Sequence, residues 1–379
     1  MRTQARAIAA LTATLTLGAV AAPPAHAARG QSLNLTTRLS TYYHDNILRY
    51  SQGQLQDFQL SLHPDRYAIE TSDDLVFNPS LALAWELDQG RGRRHALRLK
   101  GEGDFHRKNG NVDFRSVSLG LRESWSRDRR LALSWYVLPR YYLRQLFDDD
   151  FVPAYAGLTK YRRADFSLQI ASAGWTQRAT RNVLLEVGYQ HEKRDYNHDF
   201  EERDSKLHQG EVGVRFVRLP HRATVSLGGG YRVSRARAED ANMAEPVPDP
   251  DVSYHGFSLG VGGRMEIARR GPWRLGGDLA YALETRKYDS DRPTDRYHFG
   301  RSDILHAVEV ALRMAYRPRW SLRGFYRLEK NTATLGTTAP LSADAGSYRT
   351  NLAGLAIEWS GDVWQQAAVE PESDTEGQP

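Results

Sequence analysis

Apolar side chains at every second position are the feature that most limits how this chain can fold. In the stretch EVGVRFVRLPHRATVSLGGGYRV (residues 211–233), two such runs flank a short break, with polar or small residues between the apolar ones. A period of two places the two sets on opposite faces of a strand. A half-buried hairpin of a soluble sheet has this pattern, and so do two strands of a membrane barrel with lipid on one face and water on the other.

The length of the alternating runs favours strands that cross a membrane. About 14 alternating runs of about 9 to 15 residues recur along the chain, centred near residues 38, 81, 99, 119, 137, 169, 187, 213, 228, 261, 279, 309, 325 and 355. Strands of soluble proteins are usually about 5 to 6 residues long. A tilted strand that crosses a membrane needs roughly 9 to 11.

The connections between the runs alternate strictly between long and short. The short ones are Asp88–Arg93, Ser126–Arg129, Gln177–Arg181, Arg218–His221, Ala268–Pro272 and Arg317–Arg319. The long ones are Tyr50–Asp73, His106–Val112, Phe147–Lys160, Asp195–Asp204, Ala236–Pro250, Asp289–Ser302 and Thr332–Ala345. Outer-membrane barrels have short periplasmic turns and longer external loops. The sequence therefore predicts an all-β fold, a transmembrane antiparallel β-barrel of about 14 strands with both termini in the periplasm.

The two ends of the chain differ in composition from the predicted barrel. Arg2 and Arg6 precede an apolar run, and Ala25-His26-Ala27 offers small residues for cleavage, so residues 1–27 are predicted to be a signal peptide. The barrel is expected over residues 28–360. Residues 361–379 are acidic and polar, and we expect a disordered periplasmic tail. The predicted location is the outer membrane of a Gram-negative bacterium.

The charge and cysteine content exclude several classes of protein. There are 51 Lys and Arg against 46 Asp and Glu, a near balance that does not indicate a nucleic-acid partner. Because the chain has no cysteine, it has neither disulfides nor a cysteine-ligated metal site. No cofactor and no metal site are predicted. Clusters Asp148–Asp150 and Asp289–Asp291 are interpreted as solvated loops, although their oxygens suit divalent cations.

The opening of the predicted barrel resembles a known group. Thr41-Tyr42-Tyr43-His44-Asp45-Asn46-Ile47-Leu48-Arg49, followed by Asn78-Pro79-Ser80-Leu81, is similar to the first two strands of porin-like outer-membrane β-barrel proteins found with exopolysaccharide genes. That group often begins Tyr-Asp-Asp-Asn-Ile-x-Arg, and here His44 stands in place of the first Asp. The resemblance implies a porin-like envelope protein and no defined reaction.

Charged residues on the polar faces of the strands point to what the barrel encloses. Arginine facing lipid near the membrane midplane costs about 2 to 4 kcal/mol, so these side chains are expected inside. The predicted pore-lining residues are Arg98, Lys100, Glu102, Arg122, Arg140, Glu186, Glu211, Arg215, Arg232, Arg264, Asp278, Glu309, Arg313, Arg323 and Arg327. A hydrated pore lined by these charges indicates a passive channel for small hydrophilic solutes. No separate plug is expected.

Two other functions fit the same sequence. If Arg–Glu ladders close the lumen, the barrel is a non-conducting envelope protein that organises surface polysaccharide or lipopolysaccharide. An outer-membrane hydrolase is the less favoured alternative, because His191, Asp195, His198 and Asp199 have no spacing that fixes a catalytic geometry. We therefore predict no catalytic residues and no enzyme. The expected partners are outer-membrane lipid, lipopolysaccharide, the barrel assembly machinery, and a small hydrophilic solute or polysaccharide.

Overall fold

The fold was taken from a computed structural model, which describes residues 30–62, 64–90, 92–147, 161–237, 251–291, 295, 297–336 and 346–366. The predicted signal peptide, the Asp148–Asp150 cluster, most of the connection predicted over Phe147–Lys160, and residues 367–379 of the predicted tail lie outside these ranges. Within them, no helix is long and apolar enough to cross a membrane.

The described chain contains fourteen β-strands. Their bounds are β1 (Gly30–His44), β2 (Asp74–Gly90), β3 (Arg93–His106), β4 (Phe114–Ser124), β5 (Arg129–Phe147), β6 (Tyr161–Thr180), β7 (Val183–Tyr196), β8 (Ser205–Phe216), β9 (Thr224–Ala236), β10 (Tyr254–Arg270), β11 (Trp273–Tyr288), β12 (Ser302–Tyr316), β13 (Trp320–Thr334) and β14 (Tyr348–Gln366).

The strands form one closed antiparallel barrel. Each strand pairs with its sequence neighbours, and β1 closes the barrel by pairing with β14. Closure satisfies the backbone groups of every strand and leaves no free edge. The predicted all-β barrel of about 14 strands is confirmed.

The two ends of the barrel differ in their connections. At one end, here called the turn end, strands are joined by short turns such as residues 181–182 and 317–319. Left-handed backbone at Arg218, His221, Arg222 and Arg317 (φ 51° to 60°) allows the chain to reverse there without glycine. At the opposite end, here called the loop end, the longer loops connect the strands. Gly30 and Gln366 lie together at the turn end, since Gln31 pairs with Gln366.

The first of the long loops has its own secondary structure. Residues 45–73, here called loop 1, contain an α-helix, α1 (Gln52–Gln59). Ser51 begins this helix with a capping box: its hydroxyl accepts from the backbone N–H of Gln54 at 3.2 Å, and the Gln54 side chain accepts from the Ser51 N–H at 3.0 Å. The helix is therefore specified locally, although it is only eight residues long.

The alternation read from the sequence separates an outer face from an inner one. Leu312, Leu355 and Val212 are 60 to 65% exposed, whereas their strand neighbours Ala311 and Ala356 are buried. In a barrel, an exposed apolar set and a polar set on alternate residues are the outer and inner faces, respectively. The hairpin of residues 211–233 is thus two barrel strands joined at the turn end.

A β-bulge in β5 changes one of the predicted inner positions. Leu138 pairs with Leu168 and Tyr141 with Phe166, so three residues of β5 match two of β6. Pro139 lies in this bulge, where its missing N–H removes no ladder hydrogen bond. The extra residue moves Tyr141 to the inner face and displaces Arg140, which pairs instead with Asp165 at 2.9 Å and is 63% exposed. The prediction that Arg140 lines the interior is therefore wrong.

The last strand is longer than the predicted barrel boundary at residue 360. Residues 361–366 continue β14 and pair with the first residues of β1, from Gln31↔Gln366 to Leu35↔Gly361. A register shift between Leu33 and Asn34 accommodates this polar segment in the ladder. The tail predicted from residue 361 accordingly begins no earlier than residue 367.

Candidate functional site

The inner face of the barrel carries the predicted charges. All of the predicted pore-lining residues except Arg140 lie on this face, since cross-strand neighbours such as Arg264↔Asp278 and Arg313↔Arg323 share it. They fall into groups with different partners. These groups divide the interior into a paired wall and an unpaired one.

The paired wall is a continuous ladder of ion pairs on β10 to β13. Asp278 binds Arg264 at 2.6 Å and Arg313 at 3.2 Å. Arg323 contacts Glu309 and lies 3.9 Å from Asp278. The ladder then continues toward the loop end through Arg327, which lies 3.9 Å from Glu309 and 2.5 Å from Glu329. Every arginine of this ladder therefore has a carboxylate partner, although the arginines outnumber the carboxylates that they share.

A second paired group lies nearer the loop end. Glu284 on β11 binds Arg232 of β9 at 2.6 Å and Arg286 at 2.8 Å. On β12, Asp303 binds Arg301 at 2.8 Å. These side chains are 4 to 12% exposed. In contrast, Arg264 and Arg313 nearer the turn end are 54% and 37% exposed. On this side of the barrel, inward charges are therefore exposed near the turn end and buried near the loop end.

Smaller pairs occupy the rest of the inner face. Glu186 binds Arg215 at 2.7 Å, and Glu192 binds Arg194 at 2.5 Å. Lys100 and Glu102 of β3 are 2.5 Å apart. Glu211 accepts a hydrogen bond from Gln209.

The unpaired wall lies on β3 to β5. Within the described chain, Arg98, Arg122 and Arg130 have neither an ion pair nor a hydrogen bond from their side chains. The Nε atoms of Arg122 and Arg130 are buried without a partner. Arg122 lies within electrostatic range of Arg130, Glu86 and Arg98. Glu86 lies near Arg122, and Glu186, which is paired with Arg215, lies within electrostatic range of Arg130. Three guanidinium groups without a direct partner therefore make this wall a site of local positive charge.

Loop 1 folds into the loop end of the lumen. Ile47, Leu48, Tyr50 and Tyr67 of loop 1 are buried together with Tyr142 of β5 and Val112 of the β3–β4 loop. Arg144 of β5 donates to the Leu48 carbonyl at 3.0 Å. On the other side, Arg49 binds Glu329 of β13 at 2.7 Å, with the two side chains 8% and 3% exposed. Loop 1 is thus held from both sides of the barrel and narrows the lumen at the loop end.

The segment behind the family resemblance is what anchors loop 1. Asp45 accepts from the backbone N–H of Asn351 at 2.7 Å, and Asn46 donates to the Tyr50 carbonyl at 2.7 Å. Tyr42 donates to Asp104 at 2.7 Å. Arg49 has a left-handed backbone (φ 53°), which turns its side chain toward Glu329. The motif therefore has a structural role that its sequence alone did not reveal.

The residues considered for a hydrolase are not brought together. His191 stacks on His208 with ring centroids 4.7 Å apart. His198 pairs with Glu201 at the surface, Asp199 contacts Arg162, and Asp195 binds Lys193. Burial lowers the pKa of another loop histidine, His298, which bonds to Asp295 at 2.9 Å. Among the described residues, no group of three or more His, Asp or Glu is arranged to hold a metal ion.

The predicted set of pore-lining residues lacked several interior arginines, and the inward fold of loop 1 was not predicted. Arg130, Arg194 and Arg49 were not among the predicted pore-lining residues. Two signals of the constriction are visible in retrospect, namely the apolar pair Ile47-Leu48 inside a polar loop and the capping box at Ser51. Neither signal shows in which direction the loop folds.

The outer face carries an apolar band between two aromatic rings. At the turn end, Trp125 and Trp175 lie 5.4 Å apart, Trp273 and Tyr316 lie 4.6 Å apart, and Trp320 pairs with Trp359. Toward the loop end, four tyrosine hydroxyls each bond to a polar group still nearer that end, in the pairs Tyr43–Asp73, Tyr189–His208, Tyr281–His306 and Tyr326–Asn351. Such rings mark the two interfaces of a membrane.

The depth of this band fits a bilayer. From Trp273 to Tyr281 the strand advances eight residues, about 27 Å at ~3.4 Å per residue, or about 21 Å along the barrel axis at a tilt near 40°. Outer-membrane barrels carry an apolar band about 25 Å tall. The chain is an outer-membrane β-barrel.

Solved structures similar to this outer-membrane barrel are themselves outer-membrane proteins. One is described as a bacterial polysaccharide outer membrane secretin (TM-score 0.44, 11% identity, covering 86% of this chain and 97% of that one). An anion-selective porin from Comamonas acidovorans has a TM-score of 0.42 and 12% identity over 87% of this chain and 99% of its own. The outer membrane channel DcaP of Acinetobacter baumannii has a TM-score of 0.44 and 12% identity over 91% of this chain and 100% of its own.

Comparison with protein families and with curated sequences adds no relative. No family model and no curated protein sequence matches this outer-membrane barrel.

Proposed function

We propose that this outer-membrane barrel is a passive channel for small hydrophilic solutes and that it prefers anions. The unpaired arginines of the inner wall, Arg98, Arg122 and Arg130, are the observation that carries the proposal. Fixed charges of one sign in a narrow, low-dielectric passage raise the local concentration of the opposite ion. Each arginine of the facing ladder on β10 to β13 has a carboxylate partner, whereas those of the unpaired wall have none, so the unpaired wall is the part of the lumen that attracts anions most strongly.

The solvation of the interior supports a path from the turn end. Arg264 and Arg313 are 54% and 37% exposed although they face inward. A wall this exposed lies against water, since a filled barrel would bury it. The path narrows at loop 1. In this proposal the short turns and both termini face the periplasm, as in other outer-membrane barrels.

Ion selectivity in a planar bilayer tests this proposal. The purified chain is reconstituted under a KCl gradient and its reversal potential is measured. For the natural sequence, we expect the reversal potential to be displaced from zero toward the equilibrium potential of chloride. The double variant Arg122→Glu, Arg130→Glu should shift the reversal potential toward that of potassium. Arg129→Glu is the matched control, because Arg129 is the exposed neighbour of Arg130 and takes the opposite face of β5. Equal reversal potentials in all three proteins would exclude the wall from the conduction path.

A second candidate is a closed envelope barrel, which the dry loop end favours. The side chains of Arg232 and Glu284 are 4% and 5% exposed, and Arg49 and Glu329 hold loop 1 across the mouth. A barrel in this state passes no ions and acts through its surface on lipopolysaccharide or surface polysaccharide. Conductance separates the two functions, because folded protein that shows no steps at any voltage supports the closed barrel and contradicts the channel.

A further inference from the structure

An apolar groove of about 640 Å³ opens on the outer wall across β9 to β13. Gly263, Gly277 and Gly324 form its floor. Exposed apolar side chains surround it, namely Val225, Met265, Leu279, Val310, Leu312 and Tyr326. Because this surface faces lipid, we expect a neighbouring apolar group, such as the acyl chain of a lipid, to fill a depression of this size.

A continuous apolar and then basic track leads from the groove to the turn end. Below Leu312 and Gly324, the outer face continues through Met314 and Leu322 to the aromatic pair Tyr316 and Trp320. Beyond these aromatics the turns expose Arg270, Arg317 and Arg319. Within the described chain, none of these three side chains has a carboxylate partner.

The length of this track matches one leaflet of a bilayer. Leu312 and Arg317 are five residues apart, about 17 Å along the strand and about 13 Å along the membrane normal at a 40° tilt. Half of a hydrocarbon core about 30 Å thick is about 15 Å. The arginines thus lie at the level of lipid headgroups when the groove lies near the midplane.

We propose that the groove and the basic turns together form a binding site for one anionic phospholipid of the leaflet on the turn side. An acyl chain occupies the groove, where it contacts both the glycine floor and the surrounding side chains. The phosphate lies among Arg270, Arg317 and Arg319, because arginine binds phosphate through several N–H donors at once. A neutral or zwitterionic lipid has the same chain but gains less from this excess of positive charge.

Titration of the full chain with lipid, followed by native mass spectrometry, tests the site. The purified barrel in detergent is titrated with phosphatidylglycerol and, separately, with phosphatidylcholine of the same chain length. We expect one phosphatidylglycerol to bind per barrel, with an affinity about tenfold above that for phosphatidylcholine. Gly324→Leu fills the groove, and the nearest atom to the added Cβ is the flexible end of Leu355 at 3.5 Å, so the barrel tolerates it. This variant should lose the bound lipid.

Two further variants separate groove from headgroup. Gly101→Leu is the matched control, since Gly101 is on the outer face of β3 with nothing within 4 Å of an added Cβ, and it should bind as the natural sequence does. The variant Arg270→Gln, Arg319→Gln should keep a bound lipid but lose the preference for phosphatidylglycerol. Equal binding by Gly324→Leu and Gly101→Leu overturns the proposal. Oligomers of the natural sequence that Gly324→Leu disperses also overturn it, because the occupant is then a second barrel.

Discussion

At the scale of single residues, adjacent side chains on a barrel strand have opposite surroundings. Leu279 is 57% exposed on the outer band, whereas Ala280 faces the lumen opposite Glu309. Leu279→Arg places a guanidinium in hydrocarbon and should lower the free energy of unfolding by about 2 to 4 kcal/mol. Ala280→Arg places the same group beside a carboxylate in the interior and should cost less than about 1 kcal/mol. Urea titration of the barrel in lipid vesicles measures both.

The choice of inner residue matters in this comparison. Asp278, the other inward neighbour of Leu279, is less suitable for this comparison than Ala280. Its carboxylate binds Arg264 and Arg313, and an arginine in its place would leave these cations without a counter-charge. If Leu279→Arg is as stable as the natural sequence while Ala280→Arg is crippled, the assignment of the two faces is reversed.

One buried ion pair fixes the position of loop 1. Arg49→Ala removes the loop partner of Glu329, which keeps Arg327 at 2.5 Å. We expect a loss of about 2 to 3 kcal/mol, somewhat less than the roughly 3 to 5 kcal/mol typical when a buried charge loses its only partner. The loss should be local, so hydrogen exchange in α1 should rise while the strands stay protected.

Gln59→Ala is the control on the same loop. Gln59 is exposed at the end of α1, and its side chain has no partner within the described chain, so its removal should hardly change exchange. Equal exchange in the two variants would mean that Arg49 does not hold the loop.

At the scale of elements, the end of β14 decides how much of the C-terminus the barrel needs. Deleting residues 367–379 removes no described strand residue and should leave folding intact. Deleting residues 361–379 removes the partners of Gln31 to Leu35 and the exposed Trp364, and it should weaken closure. The yield of folded barrel in vesicles compares the two deletions. Equal yields would show that the six extra residues of β14 are dispensable.

Two loops at the loop end form a small pH-sensitive cluster. Burial lowers the pKa of His298 from 6.5, and the neighbouring cations Arg203 and Arg301 act in the same direction. Burial opposes the shift of Asp295, but hydrogen bonds from His298, Ser290 and the Asp251 backbone hold the pKa of this carboxyl below its usual value. For both groups the folded loops bind fewer protons than the unfolded loops, so acid destabilises the cluster.

The sign gives a definite expectation for His298. Its contribution to loop stability is present above about pH 6.5 and falls as the pH drops through that value. Hydrogen exchange of residues 297–301, corrected for the intrinsic rate, should be faster at pH 5 than at pH 7.5. His298→Gln should remove this difference, whereas His198→Gln, at a fully exposed position, should preserve it. A difference that survives in His298→Gln would assign the pH sensitivity to another group.

The strands were predictable because each carries its own signal. Period-two alternation, run length and loop length all act within one or two strands, and tertiary contacts only reinforce them. The bulge at Pro139 and Arg140 was not predictable in the same way, since the alternation Tyr136, Leu138, Arg140 continues unbroken in the sequence. Only pairing with β6 reveals the extra residue.

Contacts across the lumen could not be predicted from the sequence for a different reason. The pair Arg49–Glu329 joins residues 280 positions apart, and nothing local to either residue specifies the other. The same holds for which interior arginines are paired. The sequence therefore identified many of the inward charges but did not separate the paired wall on β10 to β13 from the unpaired one on β3 to β5.

At the scale of the whole molecule, loop 1 narrows the loop end of the described barrel. Replacing residues 52–69 by a short Gly-Ser linker removes α1 and Tyr67 from the mouth while Arg49 remains in place. If the barrel conducts, single-channel conductance should rise by about twofold or more, because resistance is dominated by the narrowest section. Replacing the exposed pair His198 and Glu201 of the β7–β8 loop by serine should leave conductance unchanged. Equal conductance in both variants would place the narrowest section elsewhere.

The pairing of β1 with β14 makes the described barrel a closed ring of strands whose backbone is interrupted at a single point, here called the nick. Gly30 and Gln366 end neighbouring strands at one rim, and the seam between them has the same antiparallel pairing as every other strand pair. Nothing in the ladder marks where the ring is cut. The nick can therefore be moved, by circular permutation, to any other short turn with every strand pair retained. A nick moved to a long loop would keep the same ladder but carry both ends of the chain to the opposite side of the membrane.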